Sequence, residues 1–390
     1  MDNKRLLIVA SDSIPGGATK SLINLIDGLR TLGWEIMLTT PRNGYLCDEL
    51  SKRNIKYRIF PYYFATLYPI TSFKDIIKRP LSILRMLFFN SRAKRSLRAL
   101  CEEFKPNIIH TNVSVVDIGF KVAQSLNIPH VWHIREYGDR DFGLTRLPSQ
   151  SVFVDNISNQ SYSIAITKDL YDYFNLNKNR ASVIYNGIFS RTFSIPKFEK
   201  ERFLLYVGRV EKGKGAEDLI NSYLKYRSQG GKLPLKIAGS YQLTYFNKIL
   251  ALIENSIYKK DIEFLGQCND IIPLMVKCLA LIVPSFYEGF GRITAEAMFC
   301  KALVVGRNTG GTKEQFDNGL LYAGKEIGLR FKNDNELVKC LNKVENLSTE
   351  EIEVICQRGF ETVCEFYSIE KNVEETNKFF MSVLESSKLK

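Results

Sequence analysis

Residues 284–298 read PSFYEGFGRITAEAM and set two carboxylates, Glu288 and Glu296, eight positions apart across two glycines and an aromatic residue. Such a pair can serve a hydrolase as acid and base, or it can hold hydroxyl groups. Were the segment helical throughout, eight residues would span ~12 Å, beyond the roughly 5 to 9.5 Å between the carboxyl groups of glycosidases. Two carboxylates that bind different hydroxyls of one polyol-rich ligand fit more naturally. The run ALIVPS just before reads as a buried strand, and a helix is expected over about 291–300. Gly289 and Gly291 would then let the backbone approach a ligand at the helix's positive end.

Residues 207–220, VGRVEKGKGAEDLI, place Arg209 at the end of a strand and Lys214 at the start of a helix. An Arg forks onto two phosphate oxygens and a Lys supplies a compact point charge, so the two suit a diphosphate; solvated surface charge is the alternative. SIPGGATKS, residues 13–21, fails as a Walker A loop, because Ile14 and Thr19 stand where its glycines belong. What remains is a Gly16-Gly17 turn whose N–H groups can face an anion. RNTGGTKEQF supplies another Gly-Gly turn followed by a carboxylate, Glu314. Asp139 and Asp141 match the D-x-D of some sugar transferases, but charged loops produce such triplets often, and no metal is expected. His110 ends a strand while His130 and His133 flank one, without zinc-site spacing, so a packed or cleft-lining role is expected.

The elements that position these residues alternate. RLLIVAS, EIMLTT, YRIF, NIIHTN, HVWHI, SIAIT and SVIYNGI are strand-like and are separated by amphipathic stretches such as 21–32 and 117–126; RFLLYVGR, LKIAGS, IEFLG, ALIVPS and ALVVG repeat the pattern. Alternation of this kind implies parallel sheets with crossover helices. With 390 residues, the chain exceeds the size at which single cores stop growing. Two doubly wound domains are expected, over 1–190 and 191–365, with 366–390 a helix returning to the first. The polar stretch 190–202 reads as the linker. Ligands of open α/β sheets bind beyond the carboxyl ends of the strands.

The eight cysteines show no C-x-x-C pair, which fits free thiols in a reducing cytosol. The opening residues contain only five consecutive apolar residues, Leu6 to Ala10, too few for a signal-peptide core. No stretch approaches the ~20 apolar residues of a membrane span. Net charge is +12, with 26 basic against 16 acidic residues up to Arg191 and 28 against 26 beyond it. The excess points to an anionic partner for the first half: nucleic acid, acidic lipid or a phosphorylated substrate. From Pro80, expected in a first helical turn, a helix puts Met86, Phe89, Ala93, Leu97 and Leu100 on one stripe. Its other side interleaves Arg85, Arg92, Lys94, Arg95 and Arg98 with Leu81, Leu84, Leu87 and Phe88, a mixture seen in interfacial helices. Nucleic acid gives no reason for those apolar residues, so an anionic membrane is the expected surface; a solvated helix packed under a loop is the alternative.

Together these motifs resemble the GT-B glycosyltransferases of family 4, a retaining group that uses nucleotide-sugar donors. The resemblance is densest over 206–314: Glu288 and Glu296 stand as the family's E-x7-E, and Gly208, Arg209, Lys214 and Gly215 as its GR and KG pair. Asn186-Gly187 and Gly310, Gly311 and Glu314 also correspond. The resemblance implies two Rossmann-like domains facing each other across a cleft. It further implies that Arg209 and Lys214 bind the donor diphosphate, Glu296 the ribose, and Glu288 with the amides of Phe290 and Gly291 the donor sugar. Gly17 would contact phosphate or acceptor, Gly266 the nucleobase border, and Asn186 and Gly187 the donor, while His133 matches a histidine near the donor sugar. Catalysis would fall to Glu288, His133, Arg209 and Lys214. Lys301 and Leu303 replace usual turn residues, and Phe189 a usual aspartate.

The expected activity is therefore transfer of a sugar from a nucleoside diphosphate, UDP foremost, to a glycan or lipid-linked saccharide of a bacterial surface polymer. No cofactor or metal is expected, and the expected place is the cytoplasmic face of the membrane. A nucleotide-sugar epimerase and a non-catalytic nucleotide-sugar or polyanion-binding protein are the alternatives. A Rossmann dehydrogenase is disfavoured, because G-x-G-x-x-G follows neither first strand.

Overall fold

A computed structural model describes residues 4–11 and 13–388. The chain forms two compact units, Met1–Gly187 with Ile369–Lys390, and Ile188–Ser368. In the first unit the strands are β1 (Lys4–Val9), β2 (Trp34–Thr40), β3 (Lys56–Ile59), β4 (Thr66–Leu67), β5 (Ile108–Thr111), β6 (His130–Ile134), β7 (Thr145–Arg146), β8 (Tyr162–Ala165) and β9 (Ala181–Val183). Seven of them form a parallel sheet in the order β3-β2-β1-β5-β6-β8-β9, and β4 pairs with β7 in a small antiparallel ribbon. Leu6 to Val9 of β1 are fully buried although they alternate between the two sheet faces. That is why the strand reads as a continuous apolar run, since crossover helices cover a parallel sheet on both sides.

The helix Gly17–Thr31 begins a turn earlier than its apolar pattern indicates, because Gly16 and Gly17 lead directly into it. Leu22, Ile23, Leu25, Ile26 and Leu29 then share its buried face. The helix Ile369–Lys388 packs against this same unit: the Trp34 indole donates to Asn377 Oδ1 at 2.8 Å, and the Phe380 ring meets Trp34 edge-on at 5.6 Å.

The long helix starts at Phe73, not near Pro80. Its start signal is Ser72 with Asp75, a capping box in which Asp75 Oδ2 accepts the N–H and hydroxyl of both Thr71 and Ser72. Pro80 lies inside, where it forfeits one backbone hydrogen bond of a 32-residue helix. Ala93, Leu97 and Leu100 are buried as their spacing requires, whereas Met86 and Phe89 are only half-buried.

The second unit contains β10 (Leu204–Val207), β11 (Leu235–Ala238), β12 (Ile262–Gly266), β13 (Ala280–Val283), β14 (Leu303–Arg307) and β15 (Leu329–Phe331), ordered β12-β11-β10-β13-β14-β15 and parallel throughout. The helix Ala216–Ser228 buries Leu219, Ile220, Tyr223 and Tyr226 almost completely, each aliphatic side chain contributing about 1.5 to 3 kcal/mol. Residues 190–202 are part of this unit rather than a free linker: Lys200 Nζ donates to the carbonyls of Cys278 (3.2 Å) and Lys301 (2.9 Å), and Phe189 stacks on Phe299 at 4.2 Å. An apolar side chain at 189 therefore has a packing reason. Lys301, in the left-handed region at φ 55°, takes the conformation that a turn glycine would otherwise supply.

Candidate functional site

The strand order of the second unit reverses between β10 and β13, which lie side by side with Leu204 opposite Ala280 and Tyr206 opposite Ile282. Connections leave these two strands in opposite directions, so a crevice opens at their carboxyl ends, where ligands of such sheets bind. The loops that end there are 208–215, after β10, and 284–291, after β13. They carry the cations and the carboxylates singled out by their spacing.

Gly215 controls the first loop. It has φ 69°, and a Cβ there would stand 2.2 Å from the Pro284 carbonyl oxygen. Only glycine lets the turn Lys212–Lys214 and the helix after it come this close to the second loop. Phe286 N–H donates to the Gly213 carbonyl (3.2 Å), and Lys214 Nζ to Glu288 Oε1 at 2.7 Å. Arg209 is more exposed and faces Glu211 at 3.1 Å, its own carbonyl accepting from the Tyr206 hydroxyl at 2.7 Å.

The second loop is held from β14 and the helix after it. Arg307, buried at the end of β14, donates to the Pro284 carbonyl (2.8 Å) and to Asp218 (2.5 Å), and its guanidinium covers the Phe286 ring. Gly311 N–H donates to the Glu288 carbonyl at 2.8 Å, and Gln315 Nε2 to those of Phe290 and Gly291 at 2.5 and 3.1 Å. Gly291, at φ 77°, caps the helix Arg292–Phe299, in whose second turn Glu296 accepts from Arg292 Nη2 at 2.8 Å. The unit thus brings together Arg209, Lys214, Glu288, Phe290, Gly291 and Glu296. Gly266 ends β12, two strands away, and its carbonyl accepts from Gly239 N–H at 2.7 Å. Arg307 and Gln315 complete the support. The signal for Arg307 was a lone charge at the end of the apolar run LVVGR; nothing in the sequence marks Gln315.

In the first unit, Gly17 is the exposed first residue of its helix. Asn186 is buried and its carboxamide oxygen accepts from Arg135 Nη1 at 2.7 Å, while Gly187 lies against Ile369. His133 lies within β6 rather than beside it, and His110 within β5. Both are closed to solvent, with His110 Nε2 3.2 Å from His133 Nδ1 and His133 Nε2 without a hydrogen-bond partner. Burial, and secondarily the nearby Arg135 charge, hold both imidazoles well below their ordinary pKa. Asp141 accepts from the backbone N–H groups of Tyr137 and Gly138, and Asp139 from the Tyr173 hydroxyl, so the D-x-D residues serve the short helix Asp139–Phe142. Among the described residues, no three His, Cys, Asp or Glu side chains are grouped to hold a metal ion.

Residues 190–356, nearly the whole second unit with both of its site loops, match the family Glycosyl transferases group 1. That region belongs to the glycosyl transferases group 1 family. Among curated proteins, the chain is similar to the N-acetylgalactosamine-N,N'-diacetylbacillosaminyl-diphospho-undecaprenol 4-alpha-N-acetylgalactosaminyltransferase of Campylobacter jejuni, 29% identical over 43% of this chain and 45% of that one. It is also similar to the O-antigen chain mannosyltransferase RfbU of Salmonella typhimurium, 27% identical over 44% and 49% of the two chains. The chain therefore spans about half the length of these two relatives. Among solved structures, Anabaena HepE in complex with UDP shares the fold with a TM-score of 0.74 at 18% identity, over 97% of this chain and 100% of that one. A Rickettsia africae glycosyltransferase does so with 0.76 at 16%, over 98% and 99%. The α/β class with two Rossmann-like units is thus the fold these solved structures share.

Proposed function

We propose that the chain is a retaining glycosyltransferase that moves a sugar from a UDP-sugar to a saccharide or lipid-linked acceptor in the synthesis of a bacterial surface polymer. The observation that carries this reading is the convergence of Arg209, Lys214, Glu288 and the Gly291 helix end at the β10/β13 switch point. The support from relatives is of the same kind: the C. jejuni protein is named for transfer to a diphospho-undecaprenol saccharide, and HepE is seen with UDP.

The chemistry follows from the donor groups. An ammonium has three N–H donors, so Lys214 can keep Glu288 oriented while reaching a phosphate oxygen. Arg209 and the N–H groups at Gly291 supply further positive charge where the departing diphosphate gathers negative charge. Glu288, pinned through Lys214 and through its own carbonyl to Gly311, would face the sugar, and Glu296 the ribose hydroxyls. All of these are groups of the protein, and transfer is proposed to need no cofactor or metal.

A panel of UDP-, GDP- and TDP-sugars, read first by thermal stability and then by turnover with saccharide acceptors, tests the reading. A UDP-sugar should stabilise the protein and be consumed only when acceptor is present. Isomerisation of a UDP-sugar without acceptor would make the chain an epimerase, and stabilisation without turnover a binding protein. The two glutamates should also separate. Glu296→Ala is expected to weaken UDP binding, whereas Glu288→Ala should spare UDP to within about threefold and suppress transfer; equal loss of UDP binding in both variants would reverse the assignment.

The place of action is proposed from the long helix. Leu81, Leu84, Leu87 and Phe88 are all more than half exposed, and Phe73, Ile76 and Ile77 extend the same exposed face upstream. Arg92, Arg95 and Arg98 are exposed beside them, with Lys94 half-buried. Among the described residues no helix is long and apolar enough to cross a membrane. The proposal is peripheral attachment to an anionic membrane on its cytoplasmic side, each basic residue near the surface contributing on the order of 1 kcal/mol. Co-sedimentation with vesicles should rise with anionic lipid, fall with salt, and drop when Arg92, Lys94 and Arg95 become Glu. Binding indifferent to all three would leave the helix purely structural.

A further inference from the structure

Arg85 does not belong to that exposed apolar face. Helical spacing sets Asp75, Lys78, Arg79, Ser82, Arg85 and Met86 on one side of the long helix, the side whose continuation at Ala93, Leu97 and Leu100 enters the core. Before it reaches the core this side is the wall of a cavity of about 700 Å³ within the first unit. The floor comes from the loop between β3 and the β4–β7 ribbon, chiefly Tyr62, Tyr63 and Phe64, and Arg42 closes one end just beyond the carboxyl end of β2.

The cavity is cationic. Among the described residues, Arg42, Lys78, Arg79 and Arg85 line it with one acid, Asp75, whose Oδ2 already takes four hydrogen bonds from Thr71 and Ser72. Among the described residues Lys78, Arg79 and Arg85 form no ion pair with a carboxylate. Arg79 is steered by the Tyr68 carbonyl at 2.8 Å, and the Arg85 guanidinium lies 5.3 Å from the Tyr63 ring centroid. Three guanidinium forks and an ammonium in a cavity with an aromatic floor recognise a phosphate or diphosphate next to a ring or apolar group. The opposite side of the same helical turns is the exposed apolar face.

We propose that this cavity holds the phosphate or diphosphate of an amphiphilic acceptor, a saccharide joined through that anion to a long apolar chain. The anion sits among Lys78, Arg79, Arg85 and Arg42, the group beside it packs on the tyrosines, and the apolar chain passes to the lipid in which the helix's other face lies. The role as acceptor site rests on the proposed transferase activity; the binding site itself does not.

The test uses farnesyl diphosphate below its micelle concentration, titrated calorimetrically into the full chain with saturating UDP present to occupy the other phosphate-binding loops. Saturable binding is expected, with inorganic diphosphate and farnesol each at least about tenfold weaker. Lys78→Gln, Arg79→Gln and Arg85→Gln combined should lower the farnesyl diphosphate affinity by more than about tenfold and leave UDP affinity within about twofold. Equal binding by the parent and the triple variant overturns the proposal, as does inorganic diphosphate binding as tightly as the amphiphile, which would mean a free-anion site. Should UDP fail to bind at all, Lys214→Ala replaces it as the control: loss of farnesyl diphosphate binding in that variant would place the probe on the 208–215 loop and again overturn the cavity. Parent vesicles of anionic lipid alone should not compete with the probe; competition would make the cavity a headgroup site.

Discussion

Lys214→Ala is expected to weaken UDP binding by about tenfold to more than a hundredfold, the cost of one charge-assisted contact of ~1.5 to 3 kcal/mol. Two effects add in that number. The phosphate loses its ammonium, and Glu288, 2.7 Å from Lys214 in the parent, is left as an uncompensated carboxylate facing an anion. Both side chains are about three-quarters buried, so solvent screens this repulsion only in part. The double variant Lys214→Ala with Glu288→Gln separates the terms: it should regain part of the UDP affinity and none of the transfer activity. Calorimetric titration of UDP into the three proteins is the measurement. Affinity unchanged in Lys214→Ala would remove the diphosphate cradle from the 208–215 loop, and with it the main support for the proposed activity.

The legible part of this site is the part fixed by backbone chemistry. Glycines at 215 and 291 and the strands LLYV and ALIV determine where two loops end, and parallel pairing brings those ends together. What holds the loops was less visible. Arg307 reaches Pro284 and Asp218 across the sheet, and Gln315 reaches Phe290 from the next helix, contacts between residues 23 to 89 positions apart that leave no periodic trace. The long helix shows a different failure. Pro80 is a strong local signal, but the capping box at Ser72 and Asp75 satisfies the helix start eight residues earlier, and one lost hydrogen bond did not outweigh it. Arg85 stands one turn before Phe89 and beside Met86, so helical spacing alone puts it on the cavity side and not on the exposed apolar face. The histidines were expected at strand ends; the sheet instead encloses them.

That enclosure sets the acid stability of the first unit. His110, His130 and His133 are buried, joined through Thr111 (2.8 Å to His130 Nε2), Ser161 (2.7 Å to His130 Nδ1) and the His110–His133 contact. Burial pushes all three imidazoles down, His110 to about 3, with Arg135 adding to the effect on His110 and His133, and His110 adding to that on His130. A depressed pKa means that the unfolded chain takes up protons first, near pH 6.5, while the folded chain does not. The stability these residues contribute is therefore complete above about pH 6.5 and lost as pH falls towards the folded values. Each neutral histidine then costs up to about 1.4 kcal/mol per pH unit, so the three together should lower the unfolding free energy by about 4 kcal/mol between pH 7.5 and 5.5. Glu136, Asp141 and Glu375 act with the opposite sign, since burial raises their pKa and the folded chain binds their protons at higher pH than the unfolded chain does. Both tryptophans of the chain, Trp34 and Trp132, belong to this unit, so urea unfolding followed by tryptophan fluorescence reads it separately from the other. A midpoint that stays constant from pH 7.5 to 5.5 would mean that the cluster accepts protons while folded, and that β5 and β6 open to water far more readily than their packing implies.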